Sequence, residues 1–480
     1  MNKVANRFVA DRAWVQGRWE SDVLLEVAPN GAWSQVQAGA SAQQQTSAFR
    51  LNGSVLPGLV NAHSHAFQRA IAGLTERRSL GDQASDDFWT WRDRMYAAAN
   101  RVTPEHLEAI ASQLYTELLA GGYTQVCEFH YLHSDVSGAA YANPAEMSLA
   151  LVRAAQRTGI GLTLLPTLYM RSGFTATGLR EDQRRFASTP QSIARIVEEV
   201  QRCTADDPAI NVGIALHSLR AVDPAALREM AAYARAAHLP VHIHIAEQTQ
   251  EVEDCIGHTG LRPIEWLLEN VSVDAHWNLV HATHTTTAEL TGTRQAGAAI
   301  VICPTTEANL GDGVFDLPGY GAVQGNWSIG SDSHVCRSWV EELRILEYSQ
   351  RLHHRKRNVA AQALLEESSA TALFEAALSG GVAAAGQPLA GIAVGQRADF
   401  VTLRPDSPAL LGIPQDHVLD ALVFSGSGRD IDGVYVGGRQ LGMDALQAAV
   451  ATPFVQAMRE LITSSPNIQT YKSRECLHRS

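Results

Sequence analysis

Hydrophobic positions along this chain follow two alternating patterns, short β-rich runs and longer stretches with helical periodicity. From about residue 56 onward, apolar runs of strand length recur, with helical patterns between most of them. The clearest helix is predicted over residues 104–120, because Thr103 can cap it, Pro104 suits its first position and Gly121 follows its end. The predicted strands cover residues 54–61, 124–130, 161–168, 211–217, 240–246, 277–281, 298–303 and 326–331.

This alternation predicts the architecture. Eight strand–helix units in about 280 residues favour a (β/α)8 barrel of the TIM type, within the α/β class. Short strands precede the barrel, and three β-like pieces follow it: GQRADFVTL, HVLDALVFSG and IDGVYVGGRQL. We expect the two chain ends to form one small β-sandwich domain. The predicted domains are residues 1–55 and 379–442 for the small β domain, 56–378 for the barrel, and 443–480 for a C-terminal helix and tail.

Composition narrows the class of protein. The 480-residue chain has a formal net charge of −12, and no basic stripe that would bind nucleic acid is visible. Its six cysteines are scattered without a CxxC pair, which is typical of reduced thiols in a cytosol. No signal-peptide core occurs, and no apolar stretch reaches the roughly 18 residues of a membrane span. We therefore expect a cytoplasmic protein that has a small-molecule substrate and binds neither nucleic acid nor membrane. We also expect a homodimer.

Candidate metal ligands stand at the carboxyl ends of the predicted strands. His63 and His65 close the apolar run PGLVNAHSH, and residues two apart on a strand point to the same face. His244 ends the run PVHIHIAE, and Asp332 ends the run NWSIGSDSH. Three imidazoles and a carboxylate suit Zn²⁺. Barrel active sites lie at the strand carboxyl ends, so this placement predicts metal-assisted hydrolysis.

Two further residues are candidates for proton transfer. Glu247 lies three residues after His244, where it can work beside an ion rather than bind it. In such a site the ion lowers the pKa of its bound water towards about 7, giving hydroxide at neutral pH. Asp332 could then accept the proton of the water, and Glu247 could protonate the leaving nitrogen. His281, in NLVHATH, could orient the hydroxide or polarise the substrate.

The lysine content predicts how many ions bind. Two-metal versions of this barrel usually need a carboxylated lysine after the fourth strand, which here reads NVGIALHS. The chain has three lysines, Lys3, Lys356 and Lys472, so none lies between residues 4 and 355. We therefore predict one zinc ion per chain, with iron as the alternative ion.

The ordered segments HSH, HIAE, VHATH and GSDSH resemble the amidohydrolase superfamily, in its mononuclear deaminase branch. Within that branch, PGLVNAHSHAFQRAIAGLTE, FWTWRDRMY, EFHYLHS and ALHSLRAV resemble the formimidoylglutamate deiminase family of histidine degradation. The resemblance implies hydrolysis of N-formimidoyl-L-glutamate, a small dianion, to N-formyl-L-glutamate and ammonia. It implies that the zinc ligands are His63, His65, His244 and Asp332, and that Glu247 and His281 are the acid–base pair. The substrate-binding residues that it implies are Gln68, Arg92, Tyr131, His217 and Arg220.

Arg220 fits this reading, since its planar guanidinium can hold a carboxylate through two hydrogen bonds. Arg92 lies in the long connection over residues 66–103, which we expect to cover the substrate.

Three alternatives stay open: a related deaminase of a nucleobase, triazine or adenosine-type substrate, a hydrolase of N-acyl amino acids, and a scaffold that has lost catalysis.

Overall fold

Strands and helices alternate along most of the chain in the computed structural model, which describes residues 6–77 and 87–463. In chain order, the strands are β1 (Arg7–Val15), β2 (Arg18–Val27), β3 (Trp33–Gln37), β4 (Phe49–Leu51), β5 (Val55–Pro57), β6 (Leu59–Ser64), β7 (Tyr123–His130), β8 (Gly161–Leu168), β9 (Ile210–Val212), β10 (Ile214–Ser218), β11 (Val241–Ile245), β12 (Trp277–His281), β13 (Ala299–Ile302), β14 (Asn326–Ile329), β15 (Phe400–Leu403), β16 (Ile431–Val436) and β17 (Arg439–Gln440). The α-helices are α1 (Ala42–Thr46), α2 (Phe88–Ala99), α3 (Pro104–Ala120), α4 (Glu146–Thr158), α5 (Pro190–Cys203), α6 (Pro224–Ala237), α7 (Thr249–Thr259), α8 (Pro263–Asn270), α9 (Thr287–Ala296), α10 (Pro304–Leu310), α11 (Leu317–Ala322), α12 (Trp339–His354), α13 (Val359–Leu364), α14 (Ser369–Ala385), α15 (Val418–Ser425) and α16 (Met443–Thr463).

Eight parallel strands form the barrel, in the order β6-β7-β8-β10-β11-β12-β13-β14, with β9 paired to β8 beside this path. A parallel bridge between Ser64 and Asp332 joins the end of β6 to the segment after β14 and nearly closes the ring. The predicted (β/α)8 barrel is confirmed. Its closure brings the first and last strands together, so residues far apart in sequence meet at one end.

Local signals account for these elements. Every residue of β7 and β8 is buried, as expected for parallel strands that helices or the barrel interior cover on both faces. Helix α3 has the predicted bounds, and the Thr103 hydroxyl accepts the His106 N–H at 3.2 Å. Asp223 caps α6 in the same way, accepting the N–H of Ala225 at 3.0 Å. These capped helices return the chain to the start of each following strand.

Two predicted elements differ from the structure. The predicted strand over residues 54–61 is two strands, β5 in the small sheet and β6 in the barrel, separated at Gly58, where an added Cβ would lie 2.3 Å from the Thr124 side chain. The prediction of a strand in HVLDALVFSG is wrong, because this segment forms α15. Its buried residues are spaced as on one helix face, and a short apolar run does not distinguish this pattern from a strand. They are Val418, Leu419, Leu422 and Val423.

Both chain ends build the small domain, as predicted. Hydrogen bonds connect its strands in the order β17-β16-β15-β5-β1-β2-β3, with β4 paired to β1. A separate hydrophobic cluster that includes Phe8, Trp33 and Phe400 forms its core. The exact domain boundaries stay a prediction, and α14 continues past residue 378, where the barrel was predicted to end.

Parts of three predicted segments lie outside the described residues: 1–5 at the start of the small domain, 78–86 within the connection 66–103, and the tail 464–480. Among the described helices, none combines the length and apolar character that crossing a bilayer requires.

Candidate active site

Three imidazoles meet at the carboxyl end of the barrel. His63 Nε2 lies 3.1 Å from His65 Nε2 and 3.0 Å from His244 Nε2. Asp332 Oδ1 lies 3.5 Å from His63 Nε2 and 3.4 Å from His65 Nε2. All four side chains are buried. The four residues that the sequence predicted as ligands therefore come together, from the ends of β6 and β11 and from the segment after β14.

The donor set fits a divalent cation. His65 Nδ1 donates to the Phe129 carbonyl at 2.8 Å, and His244 Nδ1 donates to the His217 carbonyl at 3.0 Å, so each Nε2 lone pair faces the cluster. Burial lowers the pKa of all three histidines, that of His63 to about 3, which keeps the rings neutral. Two nitrogens bound to one zinc ion lie roughly 2.9–3.4 Å apart for angles between square and tetrahedral. The observed spacings lie in this range.

Asp332 completes the cluster as an anion. Burial raises the pKa of its carboxyl, but the neighbouring imidazoles, His63 first and then His65 and His281, outweigh burial and lower this pKa overall. Its backbone N–H donates to the His63 carbonyl at 3.0 Å, so β6 fixes the position of the residue directly.

Glu247 and His281 lie beside the ligand cluster. His281 Nε2 is 3.7 Å from Glu247 Oε1 and 3.9 Å from Asp332 Oδ2. Burial raises the pKa of Glu247 to about 7, with Asp332 and Glu251 adding to this effect and His281 opposing it. A carboxyl group that exchanges its proton near neutral pH suits general acid–base chemistry.

Three predicted substrate-binding residues line the adjoining space. Gln68 Nε2 donates to the Tyr131 hydroxyl at 3.3 Å, and Gln68 Oε1 is buried with no partner among the described residues. The Tyr131 ring is centred 5.2 Å from the His65 ring, and the His217 ring is centred 5.1 Å from the His244 ring. Neutral hydrogen-bonding groups thus surround one side of the cluster.

The two predicted arginines add positive charge to this space. The Arg92 guanidinium lies 4.4 Å from the Trp89 ring centre, and that of Arg220 lies 5.8 Å from it. Among the described residues, no carboxylate oxygen lies within 4.0 Å of either guanidinium. Burial lowers the pKa of His217, and the positive charges of the nearby Arg220 and Arg92 lower it further. Two guanidiniums without an ion pair are suited to binding an anion.

Two buried carboxylates that sequence reasoning missed hold the site in place. Glu128 accepts the Ser64 hydroxyl and the Ala66 backbone N–H, both at 2.6 Å, and so anchors the residues on either side of His65. Glu251 accepts the N–H groups of Ala246 and Glu247 at 3.1 and 3.2 Å. A charge within the apolar strand YTQVCEFH was a usable signal for Glu128. Glu251 looks like any acidic residue in a helical first turn.

A model of the amidohydrolase family matches residues 54–441 of this chain. With the barrel and its histidine–aspartate cluster, this match shows that the chain belongs to the amidohydrolase family, as predicted, and is an enzyme of that family.

A formimidoylglutamate deiminase from Pseudomonas aeruginosa is 45% identical over 458 residues, which cover 94% of this chain and 99% of that protein. The crystal structure of an amidohydrolase from Brucella melitensis matches with a TM-score of 0.88 at 42% identity, covering 95% of this chain and 99% of the other. An adenosine deaminase from Xanthomonas campestris with bound zinc matches with a TM-score of 0.76, covering 95% and 98% of the two chains. At 22% identity, this last likeness shows the fold alone.

Removing the Glu251 carboxylate should destabilise the protein. Glu251→Ala leaves two buried N–H groups without a partner, which we expect to lower the free energy of unfolding by about 2–4 kcal/mol. Denaturant-induced unfolding measures this change. Glu253→Ala, at an exposed position of the same helix, is the control and should stay within about 0.5 kcal/mol of the wild type. Equal stabilities of the two variants would contradict the anchoring role of Glu251.

Proposed function

We propose that this protein is a formimidoylglutamate deiminase, which hydrolyses N-formimidoyl-L-glutamate to N-formyl-L-glutamate and ammonia in histidine degradation. The observation that carries the proposal is the arrangement of Arg220, which has no carboxylate partner among the described residues, near the buried cluster of histidines, Asp332 and Glu247. This substrate carries two carboxylates and an amidine carbon, and therefore needs both fixed cations and hydrolytic groups. The similarity to the formimidoylglutamate deiminase from Pseudomonas aeruginosa, which extends over nearly the whole chain, supports the same reaction.

We propose that His63, His65, His244 and Asp332 hold a single divalent ion, zinc with iron as the alternative. The support is the convergence of three Nε2 atoms and one ionised carboxylate, together with the hydrogen bonds that orient the rings. When bound, such an ion would lower the pKa of a water molecule towards about 7, so that the water becomes a nucleophile near neutral pH.

The proton transfers belong to the side chains beside the cluster. The reaction forms a C–O bond at the formimidoyl carbon and breaks the C–N bond to the departing nitrogen, which leaves as ammonia. Asp332, ionised in this site, accepts the proton of the attacking water. Glu247, whose pKa burial raises to about 7, delivers a proton to the departing nitrogen and takes up the hydroxyl proton of the adduct as the formyl C=O forms. The proton held by Asp332 goes to the same nitrogen, so both protons of the water leave in the ammonia. His281, between them, stabilises the negative charge that develops during the attack.

The remaining predicted residues would hold the substrate. Arg220 offers a two-bond contact to one carboxylate, and Arg92 adds a second cation for the other. Gln68, Tyr131 and His217 would supply neutral hydrogen bonds between these cations and the reacting carbon. Such a pocket favours a dianion over a neutral nucleobase, since a neutral ligand would leave two half-buried guanidiniums unpaired.

An ammonia-release assay tests this function. We expect the purified enzyme to release ammonia from N-formimidoyl-L-glutamate and to leave adenosine and nucleobases unchanged, because only the former pairs with both arginines. Ammonia release from adenosine or a nucleobase, with none from N-formimidoyl-L-glutamate, would show that the enzyme is the alternative kind of deaminase.

Metal content tests the ligand set. Elemental analysis should find a single zinc or iron ion per wild-type chain, and His244→Asn should lose most of it because one of three imidazoles is gone. His242→Asn is the matched control, since His242 lies two residues earlier on β11 and its Nε2 bonds to the Ala384 carbonyl at 2.9 Å. Two tightly bound ions per wild-type chain, or equal loss in both variants, would contradict the proposal.

Glu247→Gln should retain the ion but lower kcat by about 10²- to 10⁴-fold, because the amide cannot deliver a proton. Steady-state ammonia release together with elemental analysis measures both quantities. The control, Glu253→Gln on the exposed face of α7, should leave kcat unchanged. Normal turnover by Glu247→Gln would remove Glu247 from the mechanism.

Arg220→Ala should mainly weaken substrate binding. Loss of a buried carboxylate contact is worth about 2–5 kcal/mol, so we expect KM to rise roughly 30-fold or more. Arg228→Ala, at an exposed position of α6, provides the comparison and should leave KM unchanged. A KM near the wild-type value in Arg220→Ala would reject its role in binding the substrate.

A further inference from the structure

A buried carboxylate contacts the far side of His281. Glu307 Oε1 lies 3.3 Å from His281 Nδ1, while His281 Nε2 faces Glu247 and Asp332 at 3.7 and 3.9 Å. Glu307 is 4% exposed and His281 is 1% exposed, so water does not compete for the contact. Both nitrogens of one imidazole therefore face carboxylates, and only the Nε2 side belongs to the site described above.

The position of Glu307 is fixed by its own helix. Its Oε1 also accepts the Cys303 N–H at 2.8 Å, and its backbone N–H donates to the Cys303 carbonyl at 2.9 Å. Helix α10 thus begins with the carboxylate folded back onto the end of β13. Glu307 cannot follow the imidazole if the ring turns, so it acts as a fixed acceptor.

The backbone of His281 is constrained as well. His281 has φ of +70°, in the left-handed region that residues other than glycine rarely occupy. The next N–H, that of Ala282, donates to the Ile245 carbonyl at 3.0 Å, so a neighbouring strand holds this conformation in place. Backbone conformations of this kind persist where the surrounding structure determines them, and they concentrate at functional sites.

We propose that Glu307 is a positioning residue, whose carboxylate accepts the Nδ1 proton of His281 and thereby directs Nε2 towards the reacting atoms. An imidazole has two neutral tautomers and a ring that can turn over, and an acceptor at Nδ1 selects one of these arrangements. A carboxylate is a stronger acceptor than an amide, so the negative charge of Glu307 matters as well as its shape. The inference rests on the proposed function, which gives His281 its role in hydrolysis.

Glu342 provides a matched control, because it supports helix α10 without contacting His281. Glu342 is also buried and supports the same helix, accepting the Thr305 N–H at 3.0 Å and the Thr305 hydroxyl at 2.6 Å. Its hydrogen bonds thus go to α10 and not to His281. A variant at Glu342 disturbs the support of α10 and leaves the imidazole contact intact.

The test uses ¹⁵N-histidine-labelled holoenzyme, with the His281 signals assigned by their loss in His281→Gln. In the wild type, we expect the NMR signals to show a proton on Nδ1. In Glu307→Gln these signals should shift, and kcat should fall about 10- to 100-fold with KM and metal content unchanged. Glu342→Gln should change the thermal stability but neither the His281 signals nor kcat.

Unchanged His281 signals in Glu307→Gln, or a kcat within twofold of the wild type, would overturn the proposal. If that variant does not fold, the wild-type spectrum still decides, because an Nδ1 without a proton excludes donation to Glu307. The NMR signature needs no substrate. Failure of the wild-type enzyme to release ammonia from N-formimidoyl-L-glutamate would therefore reject the proposed function separately from the role of Glu307.

Discussion

The convergence of three neutral imidazoles and one ionised carboxylate is the constraint on which the rest of the site depends. The Nε2 atom of His63 lies 3.1 Å from that of His65 and 3.0 Å from that of His244. Asp332 reaches the same cluster because its backbone pairs with Ser64 where the barrel closes. Burying polar groups without partners is unfavourable, so each must be satisfied by another group. Carbonyl groups at the ends of β7 and β10 orient two of the rings, and the Ser64–Asp332 bridge fixes the carboxylate. The closure of the barrel therefore sets the distances between the three Nε2 atoms and the Asp332 carboxylate.

Around this cluster, buried carboxylates hold the segments that carry the candidate catalytic groups. Glu128 anchors the residues on both sides of His65, and Glu251 anchors the backbone at Glu247. A side chain at the end of a strand can be held in a fixed position only if the adjoining loop is also fixed. Several hydrogen bonds to one buried carboxylate restrict the movement of that loop. The arginines contrast with these groups, because Arg92 and Arg220 contact an indole ring and form no ion pair with a described carboxylate. Within a chain of net charge −12, this local positive charge is suited to binding an anion.

The barrel and the convergence of the four candidate ligands could be predicted from sequence because each rests on a short-range signal. HSH places two rings on one strand face, and apolar runs that end in His244 and Asp332 mark the carboxyl ends of other strands. Capping residues such as Thr103 fixed the start of a helix. The signal failed for HVLDALVFSG, where burial on one helix face and burial in a strand give the same apolar letters. Short-range sequence patterns also did not predict the role of Glu251 or the contacts of the two arginines with Trp89, because these depend on how loops from different strands pack.

Anomalous X-ray diffraction from crystals of the metal-loaded enzyme tests the central claim most directly. The account predicts one strong anomalous peak per chain, about 2.0–2.2 Å from the Nε2 atoms of His63, His65 and His244 and from a carboxylate oxygen of Asp332. A peak held instead by the neighbouring group of His281, Cys303 and Glu307, whose donor atoms also lie within 4.8 Å of one another, would contradict it.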